Sequence, residues 1–303
     1  MRQPSAPRRS DRASAGRTRT PAASCQAPPQ RFAVSHRSRR LQRSLLAGAA
    51  AILALPVGLA ATPPAAAWTP RTQLEIAAVA ATLLPPDLAR QIERHRRSYH
   101  EGVAAPFADG DPLRHYKNLD GTGLLDAVVL AEFRAAVDAI RGHQRFADVV
   151  FRLGVISHYV ADANYPLSSS DSDPLEVQFG ADYGRYAETA QRRFAVVFYG
   201  LDRHLDRSGD VNALLRRTLA RGRDLYPYVG REYRRVGGGS GLGRFDDRST
   251  AFGVAAISFS RAVSDVAVVL RQVWIEAGGA DERSPLLARS SGLMLVPRVA
   301  AAP

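Results

Sequence analysis

His158 and Asp162 stand four residues apart inside the apolar run Leu153-Gly-Val-Ile-Ser-His158-Tyr-Val-Ala-Asp162-Ala-Asn-Tyr-Pro-Leu167. On a helix that spacing stacks both side chains on one face, with Cβ atoms about 5–6 Å apart. An imidazole nitrogen and a carboxylate oxygen so placed can reach one divalent cation at about 2.0–2.2 Å each. The same pair can also be a buried hydrogen-bonded couple that orients a turn. Other residues of ligating type lie elsewhere in the chain: Glu101 and His115, Glu188, and Trp68. Two imidazoles and two carboxylates around a divalent ion are formally neutral, which lowers the cost of burying the charge. An ion with an open position brings the pKa of a bound water to about 7. Such a water is a nucleophile at neutral pH.

Each of these residues also has a plainer reading. Glu101 can be a solvated acid beside His100. His115 can be a surface loop histidine, Glu188 a helix-surface acid and Trp68 a core aromatic. The chain's one cysteine, Cys25, lies far upstream, so beyond it there are no disulfides, thiolate ligands or cysteine nucleophile.

The elements that must position these groups read as helices. Apolar residues at helical spacing predict helices over 74–84, 87–97, 124–140, 146–163, 183–199, 211–230 and 250–277. Residues 102–123 read as a Gly/Asp/Pro-rich loop, and 168–174 and 237–243 as polar or glycine-rich loops. No strand run of convincing length is visible, so the expected class is all-α. The tail beyond Gly278 carries no periodic signal and is expected to be loose.

The net charge of +12 suggests an anionic partner. Residues 1–67, however, hold eleven arginines and one acid, so 30 bases and 28 acids remain beyond them. The basic excess belongs to the leader, and pI is no argument for nucleic-acid binding. Residues 1–36 read as a disordered basic extension. Residues 37–67 read as a signal peptide: a basic stretch at Arg37–Arg43, an apolar stretch from Ser44 to Ala61, and Ala65-Ala66-Ala67 before Trp68. The expected location is therefore exported, periplasmic or secreted. The helical domain is expected over 68–278.

Ala-Trp at this cleavage point, His158-Tyr-x-x-Asp162-x-x-x-Pro166-Leu167, and Trp68-(x)4-Gln73-(x)2-Ile76 together resemble the superfamily of bacterial zinc-dependent phospholipases C and fungal single-strand-specific nucleases. The resemblance spans Trp68 to about Gly278. It implies a multi-helix bundle and a secreted phosphodiesterase. It implies one zinc site from Glu101, His115, His158 and Asp162. Asp162 would bridge to a second zinc held by the amine and carbonyl of Trp68, and Glu188 matches a carboxylate of a third. Between one and three zinc ions are implied, with the catalytic load on Asp162 and on Glu101, the general base for in-line attack of a metal-bound water on phosphorus. The chain departs from the family at three ligand positions: Gln73, Ser168 and Gly184 each stand where the family has histidine. Gln73 could still offer a neutral oxygen, a poor substitute for imidazole.

Two functions follow as expectations. One is an exported zinc-dependent phosphoric diester hydrolase acting as a monomer, with phospholipid favoured over single-stranded nucleic acid because no basic stripe is visible. The other is a non-catalytic helical protein on the same scaffold, with one structural metal or none.

Overall fold

The computed structural model describes residues 68–167, 175–241, 243–284 and 293–297, with the side chain of Val177 excepted. The expected basic extension and signal peptide, Ser168, and the loop around Asp171 and Asp173 lie outside these residues.

Helices dominate because the apolar residues recur at helical spacing and polar residues cap the ends. Thr69 opens α1 (Pro70–Ala81): its hydroxyl accepts from the Thr72 amide, and proline fills the first turn. α2 (Pro86–Arg94) and α3 (Arg96–Ala104) follow. Two 3₁₀ turns, Ala105–Ala108 and Pro112–His115, lead to α4 (Leu125–Arg141) and α5 (Phe146–Ala163). Next come α6 (Glu176–Ala190), β1 (Val197–Phe198), α7 (Arg203–Ser208), α8 (Val211–Arg235), α9 (Thr250–Glu276) and β2 (Met294–Leu295).

The core is built on α5 and α9, which pack on one another. α1, α3 and α4 lie against α5, while α8 and β1 lie against α9. α9 has the length and apolarity of a membrane span, yet 78% of its most apolar window is buried within the fold, which suits a core helix. Trp68, Tyr99, Tyr159, Tyr165, Tyr183 and Phe259 are among the fully buried side chains.

One contact decides where the site sits. α3 crosses α5 so closely that a methyl group at Gly102 would strike the Phe151 carbonyl, and one at Gly154 would strike the Tyr99 carbonyl. Only glycine allows that approach. It brings the last turn of α3 alongside His158. The Tyr99 hydroxyl reaches Ser157 Oγ at 2.9 Å, and Ser157 in turn donates to the Leu153 carbonyl at 2.8 Å.

The all-α expectation holds among the described residues, with corrections. α5 has the expected bounds, and α9 falls one residue short of them. The expected helix over 183–199 begins earlier, at Glu176, and ends at Ala190. The run Phe194 to Tyr199 is aromatic and β-branched, which favours extended backbone. It supplies β1, which pairs antiparallel with β2, Val197 opposite Leu295 and Phe198 opposite Met294. The amides of Val197 and Tyr199 donate to Ser260 and Ser264 on α9, each at 3.1 Å. Residues 293–297, expected to be loose, are therefore docked: Val296 is buried and its amide donates to the Val196 carbonyl at 2.9 Å. The expected loop 102–123 holds the end of α3 and both 3₁₀ turns.

Candidate metal centre

α5 carries His158 and Asp162 on its buried face, 1% exposed each. His158 Nε2 lies 3.1 Å from Asp162 Oδ2, so the four-residue spacing does what helix geometry requires. The second 3₁₀ turn delivers His115, whose Nδ1 lies 2.8 Å from the same oxygen. His115, His158 and Asp162 offer ligand atoms within 4.8 Å of one another, and the group can hold a metal ion.

The hydrogen-bond pattern specifies how. His158 Nδ1 is 2.8 Å from the Val103 carbonyl. A carbonyl only accepts, so the proton is on Nδ1 and Nε2 is turned to Asp162. A nitrogen lone pair and a carboxylate oxygen 3.1 Å apart are two donors that one divalent ion can take together. An imidazole fixed through its other nitrogen to a backbone carbonyl is the arrangement metal sites use to orient a ligand.

The other carboxylate oxygen is already taken. Gln73 on α1, buried, donates its amide Nε2 to Asp162 Oδ1 at 2.7 Å and to the His158 carbonyl at 3.4 Å. This fixes the amide orientation, because the reverse would set its oxygen against a carboxylate. Gln73 thus turns its nitrogen to Asp162, and its oxygen is buried with no hydrogen-bond partner among the described residues.

Electrostatics follow from these contacts. Burial pushes the Asp162 carboxyl up, but His158 and His115 outweigh it and hold the group below the usual carboxylate range. Burial pushes His115 down, but its hydrogen bond to Asp162 and the charges of Asp162 and Asp109 hold it above an ordinary imidazole. Asp109, unremarked in the sequence, lies beside them: Oδ1 is 3.8 Å from His115 Nε2, and Oδ2 accepts from the Tyr159 hydroxyl at 2.7 Å. Arg114 pairs with it at 3.0 Å. Burial raises the Asp109 carboxyl; Tyr159, the Asp111 amide, Arg114 and His115 together hold it low. The signal that could have found it is the Asp109-Gly-Asp111 turn six residues ahead of His115.

Two other expected residues do not join the group. Glu101 is on the outer face of α3, where its carboxylate accepts from Arg97 at 2.8 Å and is half-exposed. Residue 101 precedes Gly102, which is turned into α5, so its own side chain points away. Glu188 on α6 faces Arg71 at 4.0 Å. Gly184 lies within α6. Trp68 is buried with its indole against α5: Nε1 donates to the Ala161 carbonyl at 2.9 Å, and the ring meets Tyr165 edge-on at 5.0 Å. The indole is thus a core side chain next to Asp162.

No protein-family profile matches this chain, and no curated protein sequence matches it.

Proposed function

We propose that this chain is an exported phosphoric diester hydrolase that works with one zinc ion held by His115, His158 and Asp162. The observation that carries the reading is the convergence of those three side chains from two separate elements. The donor set suits zinc: two imidazoles and a carboxylate are a three-ligand set of the kind catalytic zinc sites use. One ion rather than two or three is favoured because the Gln73 amide occupies Asp162 Oδ1 and Glu188 stands apart with Arg71. When bound, such an ion polarises a phosphoryl oxygen and lowers the pKa of water.

The chain's own residues supply the rest. Val103 and Gln73 hold His158 and Asp162 in place. Asp109 faces the other nitrogen of His115, with Oδ1 3.8 Å from Nε2, and helps to orient that imidazole. Arg114, on the same side, can meet a phosphate oxygen. Phospholipid is favoured as substrate over single-stranded nucleic acid because the chain beyond residue 67 is close to neutral.

The position of Glu101 also favours the second reading, a non-catalytic protein with one structural ion. Metal analysis of the purified protein, with hydrolysis of bis(p-nitrophenyl) phosphate, phosphatidylcholine and single-stranded DNA measured against His158→Ala, separates the two. About one zinc per chain and a rate above that control is the expected result. Zinc without such a rate leaves the structural ion, and no zinc removes both metal readings.

A further inference from the structure

The 41 lysines and arginines of this chain are arginines with one exception, Lys117. It stands two residues beyond His115, where the chain loops out and returns at the start of α4. Its ammonium lies 3.0 Å from the Gly121 carbonyl, 3.1 Å from the Gly123 carbonyl and 3.4 Å from Asp126 Oδ1. An ammonium carries three N–H donors on one atom, and here three acceptors surround that atom. A guanidinium spreads its donors over a planar fork and cannot aim three from one point. The cup of two carbonyls and a carboxylate therefore suits lysine and not arginine.

The loop closes on itself around this cation. The Asn118 amide donates to the Thr122 carbonyl at 2.9 Å, and Asp120 Oδ1 accepts from the Thr122 amide at 2.8 Å. Gly123 takes a positive φ, and a methyl group there would strike the Tyr116 carbonyl. The returning segment then ties to the outgoing one. The Leu124 amide donates to the Leu113 carbonyl at 2.6 Å, and the Leu125 amide to the Tyr116 carbonyl at 3.2 Å. These two bonds bracket His115. They matter because the 3₁₀ turn Pro112–His115 holds no buried residue. His158 and Asp162 are aimed from a core helix, whereas His115 reaches Asp162 from a turn with no core anchor of its own. Lys117 joins the loop at Gly121 and Gly123 to Asp126 in the first turn of α4.

We propose that Lys117 is a positioning residue of the metal centre: its ammonium closes the loop 117–126 and so holds His115 against Asp162. The inference rests on reading His115, His158 and Asp162 as a metal site; it does not require the hydrolytic reaction.

Two measurements on the full chain test it, one without metal and one with zinc. In metal-free protein, carbethoxylation of each histidine by diethyl pyrocarbonate is timed by mass spectrometry. His115 is expected to react about fivefold faster in Lys117→Met and in Lys117→Arg, because a released segment opens more often. His158 should stay equally slow in all three proteins. In zinc titrations both substitutions are expected to weaken affinity about tenfold, the scale of one lost charge-assisted hydrogen bond. Lys117→Cys should be as weak, and should recover to within about twofold once aminoethylation with bromoethylamine restores an ammonium at the length of lysine. The unaltered chain treated alike is the control, because Cys25 reacts too. Zinc bound as tightly by Lys117→Arg as by the unaltered chain shows that charge alone suffices and overturns the three-donor cup, as does failure of aminoethylation to rescue. An unchanged His115 rate in Lys117→Met overturns the positioning role. Faster reaction of His158 together with His115 makes Lys117 a residue of general stability and overturns it equally. Absence of zinc binding in the unaltered chain removes the metal reading instead, and the His115 rate then decides whether Lys117 positions that side chain.

Discussion

Asp162 and Asp265 make a natural pair. Each is a buried carboxylate on one of the two central helices; Gln73, His115 and His158 meet Asp162, and Asn164, Thr218 and Arg221 meet Asp265. Their partners differ in kind. Asp162 faces two imidazoles, which can give up a proton and become metal ligands. Asp265 faces a guanidinium, a hydroxyl and an amide, none of which can. Burial of an acid therefore does not mark a metal site; the acid–base chemistry of its neighbours does. α5 serves both centres, Asp162 in its last turn and Asn164 just past its end.

The sharpest way to break this comparison is Asp265→Ala. It leaves Arg221 without its carboxylate and is expected to cost about 3–5 kcal/mol, toward the lower figure because Arg221 can reach water. Urea unfolding with and without zinc should give the same loss; a loss that depends on zinc would merge the two centres. His158→Ala should weaken zinc binding by more than about a hundredfold, beyond what changes to orienting partners cost, while the apo protein stays folded. Gln73→Leu removes the orienting amide and is expected to weaken zinc about 10–100-fold without changing the one-ion stoichiometry. An increase to two ions would show that the amide had been keeping a second one out.

Proton competition sharpens the contrast further. Imidazole binds metal only when neutral. Asp162 keeps His115 protonated to higher pH than a free imidazole, so zinc affinity should rise with pH through the range above about 6.5. The apo protein should move the opposite way. The stabilisation from protonated His115 is complete below about pH 6.5 and is lost as pH rises through its raised folded-state pKa. Zinc titrations and apo-protein melts across that range check both slopes. The smallest effect is expected of Glu101→Ala, within about 0.5 kcal/mol in stability because it removes an exposed ion pair, and with zinc binding intact. Loss of zinc there would restore Glu101 as a ligand.

The helices and the heart of the site were legible because both follow from periodicity. His158 and Asp162 are fixed by local helix geometry, and α5 was expected with the bounds it has. What sequence could not give was direction. Glu101 has the right chemistry and spacing, but it neighbours Gly102, whose packing on Phe151 turns residue 101 outward. His115 and Asp109 are placed by short 3₁₀ turns that leave little periodic trace. Gln73 was visible as a residue at a ligand position, yet whether its oxygen or its nitrogen met Asp162 depended on a carboxylate 89 positions away. The strand at 197–198 was read as helix because its partner lies about a hundred residues downstream.

The glycine crossing of α3 on α5 has a consequence for the order of assembly. The backbone carbonyl that aims His158 is set by core packing and not by an ion, so the pocket stands ready before any metal arrives. On the proposed function the ion is taken up late, by a finished vessel rather than one shaped around its contents, and stripping it should leave the vessel standing.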